Sequence, residues 1–304
     1  MPKENTHIWF ANELLSSPEL SEAAAEIIRP QIKDYYLGAV APDILFYSRD
    51  SKLEQTADAL HGLSGMPTNT VVMEILKRKP TPRDVAFAAG YVTHCCLDAT
   101  FHPMVYYFSG NYYDDDEAAA AKAKFLHRYI ETRLDIFLNS NLKITTQIHK
   151  HSLDGLLFSA IIEEISGSPA AGVVKALERQ LMMNKFFYGK RSKLLPPFTI
   201  NSKMNHGLFY RNVKHKDRLS TLDELLIGRN PVTGEPFETT YSKLFDAAGK
   251  QAAIRIRALL KFIKGETTLQ ELSQTVRGED LDTGLLGVTA REAKFFAHNP
   301  CVRS

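Results

Sequence analysis

One stretch of this chain restricts its folding more than any other. From residue 82 to about 101 it reads as a helix with apolar side chains on every side, into which His94 and Asp98 intrude, with His102 at its end. Thr81, Pro82 and Asp84 supply an N-cap, a first-position proline and a first-turn acid, a helix start signal. The run Val85-Ala86-Phe87-Ala88-Ala89-Gly90-Tyr91-Val92 leaves no polar face, so this helix must lie centrally and be buried. His94, Asp98 and His102 then recur at i, i+4 and i+8, one stripe of that helix. A buried, unpaired carboxylate costs several kcal/mol, so Asp98 requires a cationic or metallic partner. Pro103 lacks an N–H and clashes with the preceding turn, so a kink or a stop is expected near His102.

A second helix is expected to start after Asp114-Asp115-Asp116-Glu117, where negative charge suits the positive end of a helix dipole. Leu126, Ile130, Leu134 and Phe137 form its core stripe, and it runs to about Leu138, where Asn139-Ser140-Asn141 stop it. His127 and Glu131 share one face at i and i+4, a spacing that lets both reach one cation. Singly, each pair has a plainer reading: His94–Asp98 as a buried hydrogen-bonded pair, His127–Glu131 as an exposed helix pair. Together the five exceed the four ligands of one tetrahedral zinc, so two or more metals are expected.

The rest of the chain also reads as helices joined by loops, including Ser51–Leu60 and Leu244–Ile263. Alternating β-branched runs flanked by Asn-Gly or Asp-Gly are missing, which makes the fold class all-α. A single helical domain over residues 1–304 is expected, with a metal core at roughly 6–140 and residues 141–304 packed around it. The net charge of +2 argues for neither a nucleic-acid nor a membrane partner. No apolar run reaches the roughly 18 residues of a membrane span. Three cysteines without CxxC spacing offer neither a disulfide framework nor a structural zinc site. The first residues have no apolar signal core, so a reduced, cytoplasmic protein is expected.

Three N-terminal pieces complete the pattern. Taken alone, His7 reads as a surface residue, Asp43 in Ala41-Pro42-Asp43 as the N-cap of Ile44–Tyr47, and His61 as a helix C-cap. Taken in order, His7, Ala41-Pro42-Asp43, His61-Gly62, His94-x3-Asp98-x3-His102-Pro103 and His127-x3-Glu131 resemble the zinc-dependent phospholipase C family. The multi-zinc single-strand nucleases are relatives of that family. The stretch from Gly90 to Pro103 is the most specific part of the likeness, which covers roughly residues 6–140.

The resemblance implies a multi-helix bundle of the phospholipase C and zinc nuclease type. It implies Asp43, His61, His94 and Asp98 around one Zn2+, and His102, His127 and Glu131 around a second with a position open for water. It further implies that Asp98 bridges to a third metal held with His7, and that Asp43 is the general base. Two departures stand out. The secreted enzymes space the aspartate and next histidine more widely than Asp98-x3-His102, and the third zinc of those enzymes uses an amino terminus freed by signal cleavage. Two zincs are therefore expected, with the third in question.

The implied activity is phosphodiester hydrolysis with a phospholipid headgroup or nucleotide as substrate, by water activated at a di- or trinuclear zinc site. Two alternatives remain open: a zinc nuclease of single strands, and a non-catalytic or repurposed intracellular metal-binding relative. An HD-type phosphohydrolase needs adjacent His-Asp, and no histidine here precedes an aspartate. Residues 185–218 carry nine basic side chains against Asp217, interleaved with aromatics. That stretch reads either as an anionic docking surface or as a solvated loop with its rings in the core. His149, His151, His206, His215 and His298 are taken as bystanders.

Overall fold

The computed structural model describes residues 3–138, 141–188 and 207–297. Its helices, in chain order, are α1 (Glu4–Ser16), α2 (Glu22–Ile28), α3 (Ile32–Gly38), α4 (Ala41–Ile44), α5 (Ser51–Leu60), α6 (Thr70–Lys77) and α7 (Pro82–Ser109). They continue with α8 (Glu117–Leu138), α9 (Ile144–Gln147), α10 (Leu157–Ser166), α11 (Ala170–Tyr188), α12 (Tyr241–Ile263) and α13 (Leu269–Thr275). The architecture is all-α, with one small exception. Strands β1 (Leu226–Arg229) and β2 (Pro236–Thr239) pair antiparallel, Leu226 opposite Thr239. Helix-only reading missed this hairpin because its turn is a longer loop. In that loop Asn230 Oδ1 accepts from the Val232 and Thr233 amides, and Gly234 takes a positive φ of 75°.

Helix α7 is the axis of the fold, with α1, α3, α6, α8 and α12 packed against it. Thr81 and Asp84 close a full capping box at its start, and nearly every residue from Asp84 to Asp98 is buried. It does not stop at His102. It continues through Pro103 to Ser109, so the expected stop is corrected. Proline at 103 leaves the Ala99 carbonyl without its usual helical donor. The Gly284 backbone, at a φ of +69°, packs over that carbonyl so closely that a Cβ there would lie 2.4 Å from it. The loop carrying Gly284 thus seals the weak point of the helix.

Helices α3 and α7 approach backbone to backbone. A Cβ on Gly90 would stand 1.9 Å from the Tyr35 carbonyl oxygen, and one on Gly38 would stand 2.0 Å from that of Phe87. Neither backbone can retreat without opening the core around Tyr35, Tyr91 and Phe87, all fully buried. Gly90→Ala is therefore expected to cost about 3 kcal/mol, read as a lowered urea midpoint.

Helix α8 buries Ile130 and Leu134 from its expected stripe, whereas Leu126 and Phe137 are only partly covered. Helix α12 begins at Tyr241 and buries Phe245, Ala248, Ala252, Ile256 and Leu259; Ile254 faces outward at 51% exposure. Among the described residues no single helix is long and apolar enough to cross a membrane.

Candidate metal centre

Five elements deliver eight ionisable residues to the interior. Helix α7 presents His94, Asp98 and His102, α8 presents His127 and Glu131, and α1 presents His7. Asp43 stands inside the short helix α4 instead of capping it, and His61 is the C-cap of α5. His7 is not at the surface; it is 1% exposed, and its ring stacks on His94 with centroids 4.0 Å apart.

Among the described residues these side chains form three groups, each with its ligand atoms within 4.8 Å of one another. One is Asp43, His61 and His94; another is His7, His94 and Asp98; the last is His102, His127 and Glu131. Asp98 therefore gathers with His94 and His7, and is not in the group with Asp43 and His61 that the resemblance implied. His94 belongs to two groups because its Nδ1 donates to the Ala39 carbonyl at 2.9 Å, which leaves Nε2 facing both carboxylates. His61 is held in the same way, Nδ1 to the Ala57 carbonyl at 2.7 Å. A backbone carbonyl on one ring nitrogen sets the tautomer that frees the other for a metal.

The spacing fits zinc. Donors of a tetrahedral zinc at about 2.0–2.2 Å stand about 3.4 Å from one another. His61 Nε2 lies 3.4 Å from Asp43 Oδ1, and His94 Nε2 lies 3.7 Å from it. Asp98 is flanked by His94 Nε2 at 3.1 Å and His7 Nε2 at 3.2 Å, neither contact aligned as a hydrogen bond. His102 Nε2 lies 3.8 Å from Glu131 Oε1, while His127 Nε2 approaches that oxygen to 2.7 Å. Both oxygens of Asp98, Oδ1 of Asp43 and Nε2 of His7, His94 and His102 are buried without a hydrogen bond. Buried polar atoms almost always find a partner, so six aimed inward at this spacing make these groups candidates for holding cations.

Electrostatics prepares the donors for that role. Burial alone would raise the Asp98 carboxyl, but the imidazoles of His94, His102 and His7 outweigh it and hold it well below the usual range. Burial lowers His7, and pushes His127 down to about 4, so both rings are neutral near pH 7 and able to ligate. His61 goes the other way: Asp43 overcomes the burial penalty and raises it to about 9, a proton that a cation would displace.

A cavity of about 680 Å³ opens beside these groups. Asp43, His61, His102, His127 and Glu131 line it, whereas His7, His94 and Asp98 lie behind its wall. Two groups thus meet the cavity and one is enclosed. This donor set in this order carries one signature, and the family model described as zinc-dependent phospholipase C matches residues 6–171. The chain belongs to the zinc-dependent phospholipase C family. No curated protein matches it, and no solved structure does either.

One residue beside the centre of this phospholipase C family member lies beyond the matched stretch. Asp282, on the loop that covers Ala99, places Oδ1 2.9 Å from His102 Nδ1 and accepts a 3.0 Å hydrogen bond from the Tyr106 hydroxyl on Oδ2. Although burial opposes it, His102 holds the Asp282 carboxyl at about 2. A carboxylate behind a ligating histidine orients the ring and strengthens it as a donor. No local pattern flags Asp282, because its partner is far away in sequence. Asp282→Asn is expected to weaken zinc at the His102 group by roughly 10- to 100-fold in a chelator competition titration.

In the described part of the basic stretch Phe187 and Phe209 pack inward, while Lys185, Arg211, Lys214, Lys216 and Arg218 are exposed. Phe187 and Phe209 are buried edge to face at 5.2 Å, with Lys3 over the ring of Phe187. The Tyr210 hydroxyl bonds Asp135, and that of Tyr129 bonds Asp217. Lys190, Arg191, Lys193, Phe198 and Lys203 lie outside the described residues, as do His206 and His298. His151 forms an exposed pair with Asp154.

Proposed function

We propose that this chain hydrolyses phosphodiesters in the manner of a phospholipase C, with zinc held by the eight residues His7, Asp43, His61, His94, Asp98, His102, His127 and Glu131. The observation that carries this reading is the set of buried donors at zinc spacing, six of whose inward-aimed atoms lack a hydrogen bond, beside a cavity of substrate size. Zinc bound there would supply Lewis-acid stabilisation of phosphate charge and water of lowered pKa.

The chain's own residues divide the remaining work. Asp43 stands on the cavity wall, with Oδ1 toward His61 and His94 at zinc spacing, and accepts the proton of the attacking water at its other carboxylate oxygen, Oδ2. His102 on α7 and His127 and Glu131 on α8 would hold the second zinc, and Asp282 positions His102. The enclosed His7–His94–Asp98 group holds the Asp43 side of the site in place through the shared His94. Zn2+ at two sites is expected, with the His7 group as the third. The same reading takes the C-terminal helices as part of one domain, which is supported by the packing of α12 on α7 and by Asp282 reaching the centre.

The test is hydrolysis of bis(p-nitrophenyl) phosphate by the full chain, before chelation, after it, and after zinc is restored. Turnover that vanishes with chelation and returns with zinc supports the reading. A protein that binds zinc and shows no turnover on this diester or on phospholipid vesicles overturns it in favour of a non-catalytic relative.

A further inference from the structure

The cavity wall beyond the candidate ligands has an uneven charge. Among the described residues it carries Lys3, Arg49, Lys124, Arg128, Arg179 and Arg291 against Glu4, Asp58 and Asp282. The whole chain has a net charge of +2, so this is local concentration and not a general excess. Two of the carboxylates are engaged: Glu4 accepts from the Tyr47 hydroxyl and the Asn184 amide, and Asp282 from Tyr106 while it lies against His102. Lys3 is spent as well, its Nζ on the Leu208 carbonyl. Arg179 is engaged in the same way, its Nη1 on the Tyr47 carbonyl. Asp58 shares the wall with Arg49, Lys124 and Arg291 as well.

The aromatic residues of the wall point the same way. Lys124 Nζ sits 6.0 Å from the Tyr112 ring centre, and the Arg291 guanidinium 5.4 Å from that of Tyr113. A quaternary ammonium needs aromatic faces free of other cations, with carboxylates nearby. Here the protein's own cations occupy two of those faces, and the carboxylates are mostly engaged. A phosphate meets the opposite situation, because guanidinium groups bind it through paired hydrogen bonds.

We infer that this cavity takes a phosphoester bearing a second phosphate besides the one at the metal centre, and disfavours a headgroup ending in a quaternary ammonium. The inference rests on the hydrolase reading above and names the substrate class of that same site. The cavity has room for it, since about 680 Å³ lies within the roughly 300–1,000 Å³ of small-molecule sites. Such a group comes from a phosphorylated polyol headgroup or from a nucleotide.

Calorimetric titration of the zinc-loaded full chain tests this, with an inositol bisphosphate, a nucleoside bisphosphate and phosphocholine as probes. All three are monoesters, which a diester hydrolase leaves intact. At least one bisphosphate is expected to bind about ten-fold more tightly than phosphocholine, and the tighter of the two names the source. The double variant Arg49→Ala, Arg291→Ala changes two exposed residues, so the fold should survive, as circular dichroism would check. In it the preference should shrink to about three-fold while phosphocholine binding stays the same. Phosphocholine binding as tightly as both bisphosphates, or a preference untouched by the double variant, overturns the inference. Diester hydrolysis in the same preparations separates the two readings. Absent turnover with an intact bisphosphate preference sinks the hydrolase alone, and turnover with a phosphocholine preference sinks the inference alone.

Discussion

Replacing Asp98 with alanine is expected to strip zinc from the chain and cut diester turnover by on the order of a thousand-fold. Asp98 is fully buried, both of its oxygens lack hydrogen bonds, and two imidazole nitrogens approach them within 3.2 Å. Among the described residues Asp98 is the one carboxylate in the His7–His94 group, so alanine leaves that group two imidazoles and no carboxylate to balance a divalent charge. The loss should spread, because His94 also belongs to the Asp43–His61 group. Plasma mass spectrometry reads the metal, with wild type beside the variant and exposed His215→Ala as control. Asp98→Asn keeps the shape without the charge and distinguishes lost ligation from a collapsed core. Zinc retained at the wild-type level in both variants would remove Asp98 from the site.

Chelation should have the second-largest effect, this time on stability. Without cations the interior holds an ionised Asp98 and a cluster of histidine nitrogens with nothing bonded to them. Such atoms are costly when buried, and a cation that binds only the folded chain removes that cost. At a thousand-fold excess over Kd, one ion contributes about 4 kcal/mol. Two ions should therefore raise Tm by roughly 10 °C or more, seen as a reversible drop on adding chelator in a thermal scan. Unchanged Tm, with zinc shown to leave, would mean that the donors satisfy one another as a polar network.

The two central helices and their ligand stripes are legible in the amino-acid sequence, because helical spacing is a local rule. Residues at i and i+4 share a face whatever surrounds them, and an apolar helix with an aspartate in it must find that aspartate a partner. His94, Asp98, His102, His127 and Glu131 stand out on those grounds alone. His7, Asp43 and His61 do not; each has a plain local reading, and only their order along the chain suggests more.

What the tertiary structure alone decided depends on residues far apart in the chain. Which donors share a group follows from how α1, α4 and α5 pack on α7, and this packing put Asp98 with His7 and His94. The close passage at Gly38 and Gly90 is a contact between two helices, invisible in either one. The helix outlasts Pro103 beneath a loop that comes from residue 284, and the same loop brings Asp282 to His102. The cationic wall of the cavity draws on Arg49, Lys124, Arg128, Arg179 and Arg291, which no sequence window contains together. Local spacing specifies what a residue could bind; only the folded chain brings its partners within reach of the same ion.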